Sequence, residues 1–341
     1  MSQNPRIVHF LLTCAIALAA ASAIPTSAVA ASKPVSQSAA APAESSPAKP
    51  APTHFHLKRH PVVALTFDDV PASGGLHVGE TRVGIITRLI GELKADHLKG
   101  IYGFVNATGI SDDPDLQQAL RLWVAAGMNI GNHTFDHPAL DDTTAEAYIH
   151  NIAVNEPTLR QYDPTGDWHW FRYPYLEEGN TLEKREAVRA WLFKNGYRIA
   201  QVTLNFQDDD WDDPYGRCLA KHDQAAIDWL KQSYMDNAAE FIRLGRQEQI
   251  VAFGHEVPNV LLLHETDFTT LMLPSLIQLL RSQGFRFAPL AKVERNPVYS
   301  LDPREPNPGG GSLTNQVLDA RHLRYPPFKP EPAEKLDSLC N

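Results

Sequence analysis

The sequence predicts an α/β domain built from repeated strand–helix units. Between residues 60 and 290, seven short β-branched or aromatic runs alternate with longer segments of helical period. The chain has 341 residues, 43% of them hydrophobic and 21% charged, enough for a large core. Units of this kind either close into a barrel or form an open doubly wound sheet, and the pattern by itself does not choose. Both arrangements gather the chemistry at the C-terminal ends of the strands.

The strand candidates are residues 62–67, 101–105, 128–131, 170–173, 198–204, 260–264 and 285–290. Each is a short run rich in residues that fit a pleated, buried surface. Between them, residues 81–97 place Val83, Ile86, Leu89, Ile90 and Leu93 on one helical stripe, and residues 115–126 end at Gly127. Residues 144–160, 182–194 and 224–243 continue the helical series. No GxGxxG or Walker loop follows the first strand, which removes the usual nucleotide sites.

The ends of the chain read differently. Residues 1–30 carry one charged side chain, Arg6, then an apolar run from Ile7 to Ala23 and the small residues Ala28-Val29-Ala30, the pattern of a secretory signal. Residues 31–53 are almost all Ala, Pro, Ser and Lys, too poor in large apolar groups to offset chain entropy, and are expected to be a flexible linker. The folded domain is expected over 54–295. A Pro-rich tail with Gly309-Gly310-Gly311 follows over 296–341, either wrapping the domain or partly loose. An exported protein with no stable membrane insertion after cleavage is the expectation. Of three cysteines, Cys218 and Cys340 remain once Cys14 is removed, either as a bridge from tail to domain or as two thiols. A formal net charge of −9 argues against a nucleic-acid partner.

Four strand ends carry reactive side chains. The first strand runs into Asp68-Asp69, two adjacent carboxylates that point in different directions, so that one can ligate a metal while the other handles protons. After the third strand comes His133-Thr134-Phe135-Asp136-His137. With fourteen histidines in the chain an HxxxH pair alone is weak evidence, and His56 and His60 form a second one, read with His54 as a surface tract. Asp69, His133 and His137 together supply two nitrogens and one oxygen with open positions, the composition of a catalytic zinc centre. The fourth strand ends in Arg172-Tyr173-Pro174-Tyr175, where an Arg can orient a carboxylate and a fixed backbone N–H can meet an oxyanion. His264 leaves the apolar strand 260–263 as a candidate general acid, with His255 its rival. Trp168, Trp170, Tyr175 and Trp211 lie near these loops as candidate sugar platforms.

Read in order, these segments resemble the polysaccharide deacetylases, the NodB-like carbohydrate esterases of family 4, over residues 60–292. The resemblance implies a distorted (β/α)7 barrel, one divalent metal, most often zinc, and a glycan substrate from which acetyl groups are removed. It implies Asp68 as catalytic base, Asp69, His133 and His137 as metal ligands, Arg172 orienting the base, the Tyr175 N–H holding the oxyanion and His264 as acid. Tyr173 stands where the family has a Pro. Gln207 stands where the fourth motif has its first Asp, within Gln207-Asp208-Asp209-Asp210-Trp211, which leaves Asp208 or Asp210 to tune the acid. A catalytically weak glycan-binding protein of the same fold, and an O-acetyl esterase or non-sugar amidase, are the alternative readings. A metal phosphoesterase is disfavoured by the single ligand set and the lack of a phosphate loop.

Overall fold

A computed structural model of the chain describes residues 60–328 and 333–341. The expected signal and linker, with His54 and His56, lie outside the described residues. All seven expected strands form, every pairing is parallel, and together they make one sheet. Strand β1 (Val62–Val70) lies between β2 (Tyr102–Val105) and β6 (Asn259–His264). Beyond β2 follow β3 (Asn129–Asn132), β4 (Trp170–Phe171) and β5 (Arg198–Ile199). The chain leaving β5 turns back onto β6: the Leu204 N–H donates to Val260 O and the Leu262 N–H to Leu204 O, both at 3.0 Å. This bridge curls the sheet into the distorted barrel.

Strand β7 (Arg286–Phe287) is the irregular member. It meets only the start of β1, pairing Val62 with Arg286 and Val63 with Phe287, on the edge that β2 occupies further along. The central strands β1 and β6 carry near-continuous apolar runs because both faces are covered; Val63, Leu65, Phe67, Val260, Leu261 and Leu263 are buried.

The helices form where the stripes lie: α1 (Arg82–Ala95), α2 (Pro114–Ala125), α3 (Ala145–Tyr162) and α4 (Leu182–Lys194). Thr81, Asp113, Thr144 and Thr181 cap their first turns, each side chain accepting a backbone N–H left free at the helix start. A short α5 (Asp212–Ala220) leads into α6 (Gln224–Phe253), ten residues longer than the expected 224–243. Its last third buries Arg246, Glu248 and Gln249 as well as Leu244 and Ala252, so the apolar period breaks before the helix does. Gly254, at φ 80°, ends it in the left-handed conformation that suits glycine. Helix α7 (Asp267–Ser282) precedes β7, and the single turn α8 (Leu290–Val293) follows it. No helix among the described residues is long and apolar enough to cross a membrane.

The tail wraps the domain. Its helix α9 (Leu313–Ala320) buries Leu313, Val317 and Leu318 in a core cluster that includes Ala252 of α6 and Val260 of β6. Cys218 of α5 and Cys340, beyond the last helix α10 (Ala333–Ser338), form a disulfide across 122 residues. Arg217 donates to the backbone oxygens of Leu336 and Leu339 beside it.

Between α6 and α9 sits Glu248, 7% exposed, accepting one hydrogen bond from the Asn315 amide at 3.3 Å. Burial pushes its carboxyl up to about 7, above the ordinary 4.5. The folded state therefore holds this proton more tightly than the unfolded chain, and the stability it confers is lost as pH rises from 4.5 through 7. Glu248→Gln is expected to stabilise the protein by about 1–3 kcal/mol at pH 8, a gain that shrinks toward zero near pH 5. Thermal melts of both proteins at the two pH values check this; an equal shift at both refutes it.

Candidate metal and active site

Parallel register brings the first two reactive groups together, since Asp68 of β1 lies directly opposite His264 of β6. At the end of β3, Asn132 pairs with Phe171 of β4, so the next residues, His133 and Arg172, emerge side by side. All four therefore stand at the C-terminal rim of the barrel.

Arg172 crosses the barrel interior with 1% exposure. Its Nη1 donates to both Asp68 oxygens at 3.0 and 3.2 Å, its Nη2 to Thr66 Oγ1 at 3.2 Å, and its Nε to Ala200 O at 2.7 Å. The guanidinium also lies 4.5 Å over the Phe104 ring. Burial pushes the Asp68 carboxyl up to about 6, against the pull of Arg172 and His264. A carboxylate in that range is suited to general base work near neutral pH.

Asp69, His133 and His137 each offer one ligand atom, and the three lie within 4.8 Å of one another. Asp69 Oδ1 is 3.5 Å from His133 Nε2 and 3.4 Å from His137 Nε2. It is buried without a hydrogen-bond partner, an oxygen aimed at the point where a cation would sit. His133 Nδ1 lies 2.8 Å from the Arg172 carbonyl, which accepts its proton and leaves Nε2 free as a ligand. Burial, and then the neighbouring His137, hold His133 well below the ordinary imidazole range, and burial lowers His137 as well. Two neutral imidazoles and a carboxylate fit a divalent metal such as zinc.

The acid-side group is equally explicit. Asp208, fully buried, accepts the His264 backbone N–H at 2.8 Å and the Thr269 hydroxyl at 2.7 Å through Oδ2, and faces His264 Nδ1 at 2.9 Å through Oδ1. Asp209 Oδ1 stands 3.3 Å from the same Nδ1. Burial opposes a charge on His264, but Asp208, by charge and hydrogen bond, and Asp209 raise it well above the ordinary range. Of the two carboxylates left open by the sequence, the structure puts Asp208 on His264, while Asp210 is exposed. The rival His255 is exposed and precedes β6, at the opposite end of the strand from His264.

Tyr175 occupies the rim beside the metal cluster, its ring 4.5 Å from that of His137 and 60% exposed. The other aromatic candidates are core residues: Trp168, Trp170 and Trp211 are 5%, 4% and 2% exposed, and Trp211 donates to Ser233 Oγ at 2.8 Å. They pack the barrel and are not sugar platforms.

Support for the histidine loop comes from residues the sequence reading passed over. Asn132 Oδ1 accepts the Thr134 N–H and the Asn155 amide, both at 2.9 Å, and Asn155 also donates to Val105 O at 2.7 Å. Asn151 Oδ1 accepts the Phe135 N–H at 2.7 Å. The signal was available: Asn155 falls on the buried stripe of α3 with Tyr148, Ile152 and Leu159, where a polar residue needs buried partners. The rim is also strained, for Asp69, Thr134, His137, Tyr175 and Gln207 all have φ between 56° and 68°. Non-glycine residues in this region cost about 1–2 kcal/mol each and persist only where the surroundings over-determine them.

The chain is thus a parallel-stranded distorted barrel with a two-histidine, one-aspartate cluster at the C-terminal rim of its strands. Residues 57–200 match the family model described as polysaccharide deacetylase. No curated protein matches. Among solved structures, the chain is similar to a family 4 carbohydrate esterase from Streptomyces lividans in complex with acetate (20% identity, 67% of this chain and 92% of the other, TM-score 0.43). It is also similar to the chitin deacetylase of Colletotrichum lindemuthianum (21%, 69% and 88%, 0.47). A family 4 pseudoenzyme from Bacillus anthracis matches as well (16%, 69% and 65%, 0.45).

Because Arg172 and Asp68 are a buried, hydrogen-bonded ion pair, removing one partner strands the other charge. Arg172→Met is expected to destabilise the protein by about 3–5 kcal/mol in denaturant unfolding, and Arg172→Met combined with Asp68→Asn by less than half of that. A double variant no more stable than the single would refute the pairing.

Proposed function

We propose that this protein is an exported, metal-dependent hydrolase that removes the acetyl group from N-acetylated sugars in a glycan of the peptidoglycan or chitin type. The observation that carries the reading is the placing of Asp68 and His264 opposite each other in register, beside the orphaned Asp69 oxygen and its two imidazoles. When bound by Asp69, His133 and His137, a divalent cation, most simply zinc, supplies Lewis acidity that lowers the pKa of water and polarises an acyl carbonyl.

The chain's own groups do the rest. Asp68, aimed by the Arg172 fork, takes the proton of the attacking water. The Tyr175 N–H donates to the oxyanion that develops on the acetyl carbonyl. His264, charged through Asp208, gives its proton to the departing amine. Export is supported by the leader pattern and by the Cys218–Cys340 disulfide, a bond kept in oxidising compartments.

The test is acetate release by the purified protein from N-acetylglucosamine oligomers, peptidoglycan fragments and O-acetylated sugars, before and after chelation and zinc replenishment. Chelator-sensitive release from the N-acetylated substrates is expected. Release confined to O-acetyl sugars would make the protein an ester hydrolase, and no release by the folded, zinc-loaded protein would leave a glycan-binding role. Asp69→Ala is expected to lose metal and activity together, while His264→Ala keeps a full equivalent of zinc and loses at least about 100-fold in kcat. Metal retained in the first variant would refute the ligand assignment.

A further inference from the structure

The residues that hold the Tyr175 loop lie far along the chain, in the tail. Tyr175 and Leu176 are consecutive left-handed residues, both at φ 57°. Neither is glycine, so the conformation must be imposed from outside. Three contacts impose it. The Asn307 side-chain amide donates to Leu176 O at 2.9 Å, and the Asn307 N–H donates to Gly179 O at 2.8 Å, forming an antiparallel bridge across the far side of the loop. Gly310 lies flat on the Tyr175 carbonyl, so close that a Cβ there would stand 2.1 Å from Tyr175 O. Below them Glu178, 2% exposed, accepts from Arg189 at 2.6 Å, from Gln201 at 2.8 Å and from Gln316 of α9 at 2.9 Å, and also pairs with Arg185. The Gly309 N–H anchors the turn on Asp141 Oδ2 at 2.8 Å.

We propose that Asn307 and Gly310 are positioning residues of the active site, and that the tail turn 307–311 fixes the Tyr175–Leu176 backbone in the orientation its oxyanion role requires. This rests on the deacetylase reading for its catalytic consequence, and on the contacts alone for its structural one. The turn lies outside the segment 57–200 that matches the family model. The acyl-side donor is therefore completed by a part of the chain that the matched segment does not contain.

Two neighbouring glycines give a matched test. Gly309 and Gly310 have φ of 70° and 75°, so alanine strains either backbone alike, but a Cβ on Gly309 meets nothing within 4 Å. Gly310→Ala is expected to lower kcat for acetate release at least tenfold with KM within twofold and zinc content unchanged. Gly309→Ala should remain within twofold of the parent in both constants. Asn307→Ala should follow Gly310→Ala, with Asn307→Gln recovering less than half of the lost rate. Hydrogen exchange of the peptide spanning residues 174–178, followed by mass spectrometry, reads the same contact without turnover, and should quicken at least fivefold in Gly310→Ala over Gly309→Ala. Equal exchange in the two variants overturns the proposal whether or not the protein releases acetate. Unequal exchange in a protein inactive on every substrate leaves the brace standing and sinks the deacetylase reading instead. Unequal exchange with equal kcat in an active protein overturns the catalytic role assigned to the turn.

Discussion

The buried Arg172 side chain is the tie on which the rest of the site depends. It reaches from the end of β4 to Asp68 and Thr66 on β1 and to the Ala200 carbonyl beyond β5, joining three parts of the barrel wall through its interior. A guanidinium taken out of water is costly unless its donors are used, and here the planar fork is spread over a carboxylate, a hydroxyl and a carbonyl. Its backbone carbonyl takes part too, accepting from His133 Nδ1 and so fixing that imidazole for ligation. One residue thus sets the direction of the Asp68 carboxylate and the tautomer of His133. The Asp68–His264 register does the corresponding work on the other side, because parallel pairing of β1 with β6 leaves the two groups no choice but to be neighbours.

The two halves of the site are built on opposite electrostatic plans. At the Asp69–His133–His137 cluster burial depresses both imidazoles and favours their neutral form. At His264 the charge and hydrogen bond of Asp208 outweigh burial and raise the imidazole well above its ordinary range. Two histidine environments at one rim are thereby driven in opposite directions.

Much of this was legible in the sequence, and the failures have physical causes. The strands were readable because parallel strands covered on both faces are continuous apolar runs, and the reactive residues because they stand where those runs stop. The end of α6 was not, since Arg246, Glu248 and Gln249 are buried there and break the period that marks a helix. Asp208 and Asp210 could not be separated by type; one short helical turn buries the first and exposes the second. Trp168, Trp170 and Trp211 had the right chemistry for sugar stacking, but their area is spent inside the barrel. Left-handed backbone at Asp69, His137 and Tyr175 left no trace in composition, because none of the three is the glycine that usually marks it.

The disulfide gives the tail a property that packing alone would not. Cys340 is bonded to α5, while α9 is seated against α6, so the stretch resting on Tyr175 belongs to a closed covalent ring of the chain. Were α9 to lift away, the segment would stay tethered at both ends, and the smaller volume open to it would raise the effective concentration for re-docking above that of a tail held at one end. In an oxidising compartment the turn is thus a doubly tethered flank of the Tyr175 loop; under reducing conditions its opening is opposed only by its own contacts and a single tether.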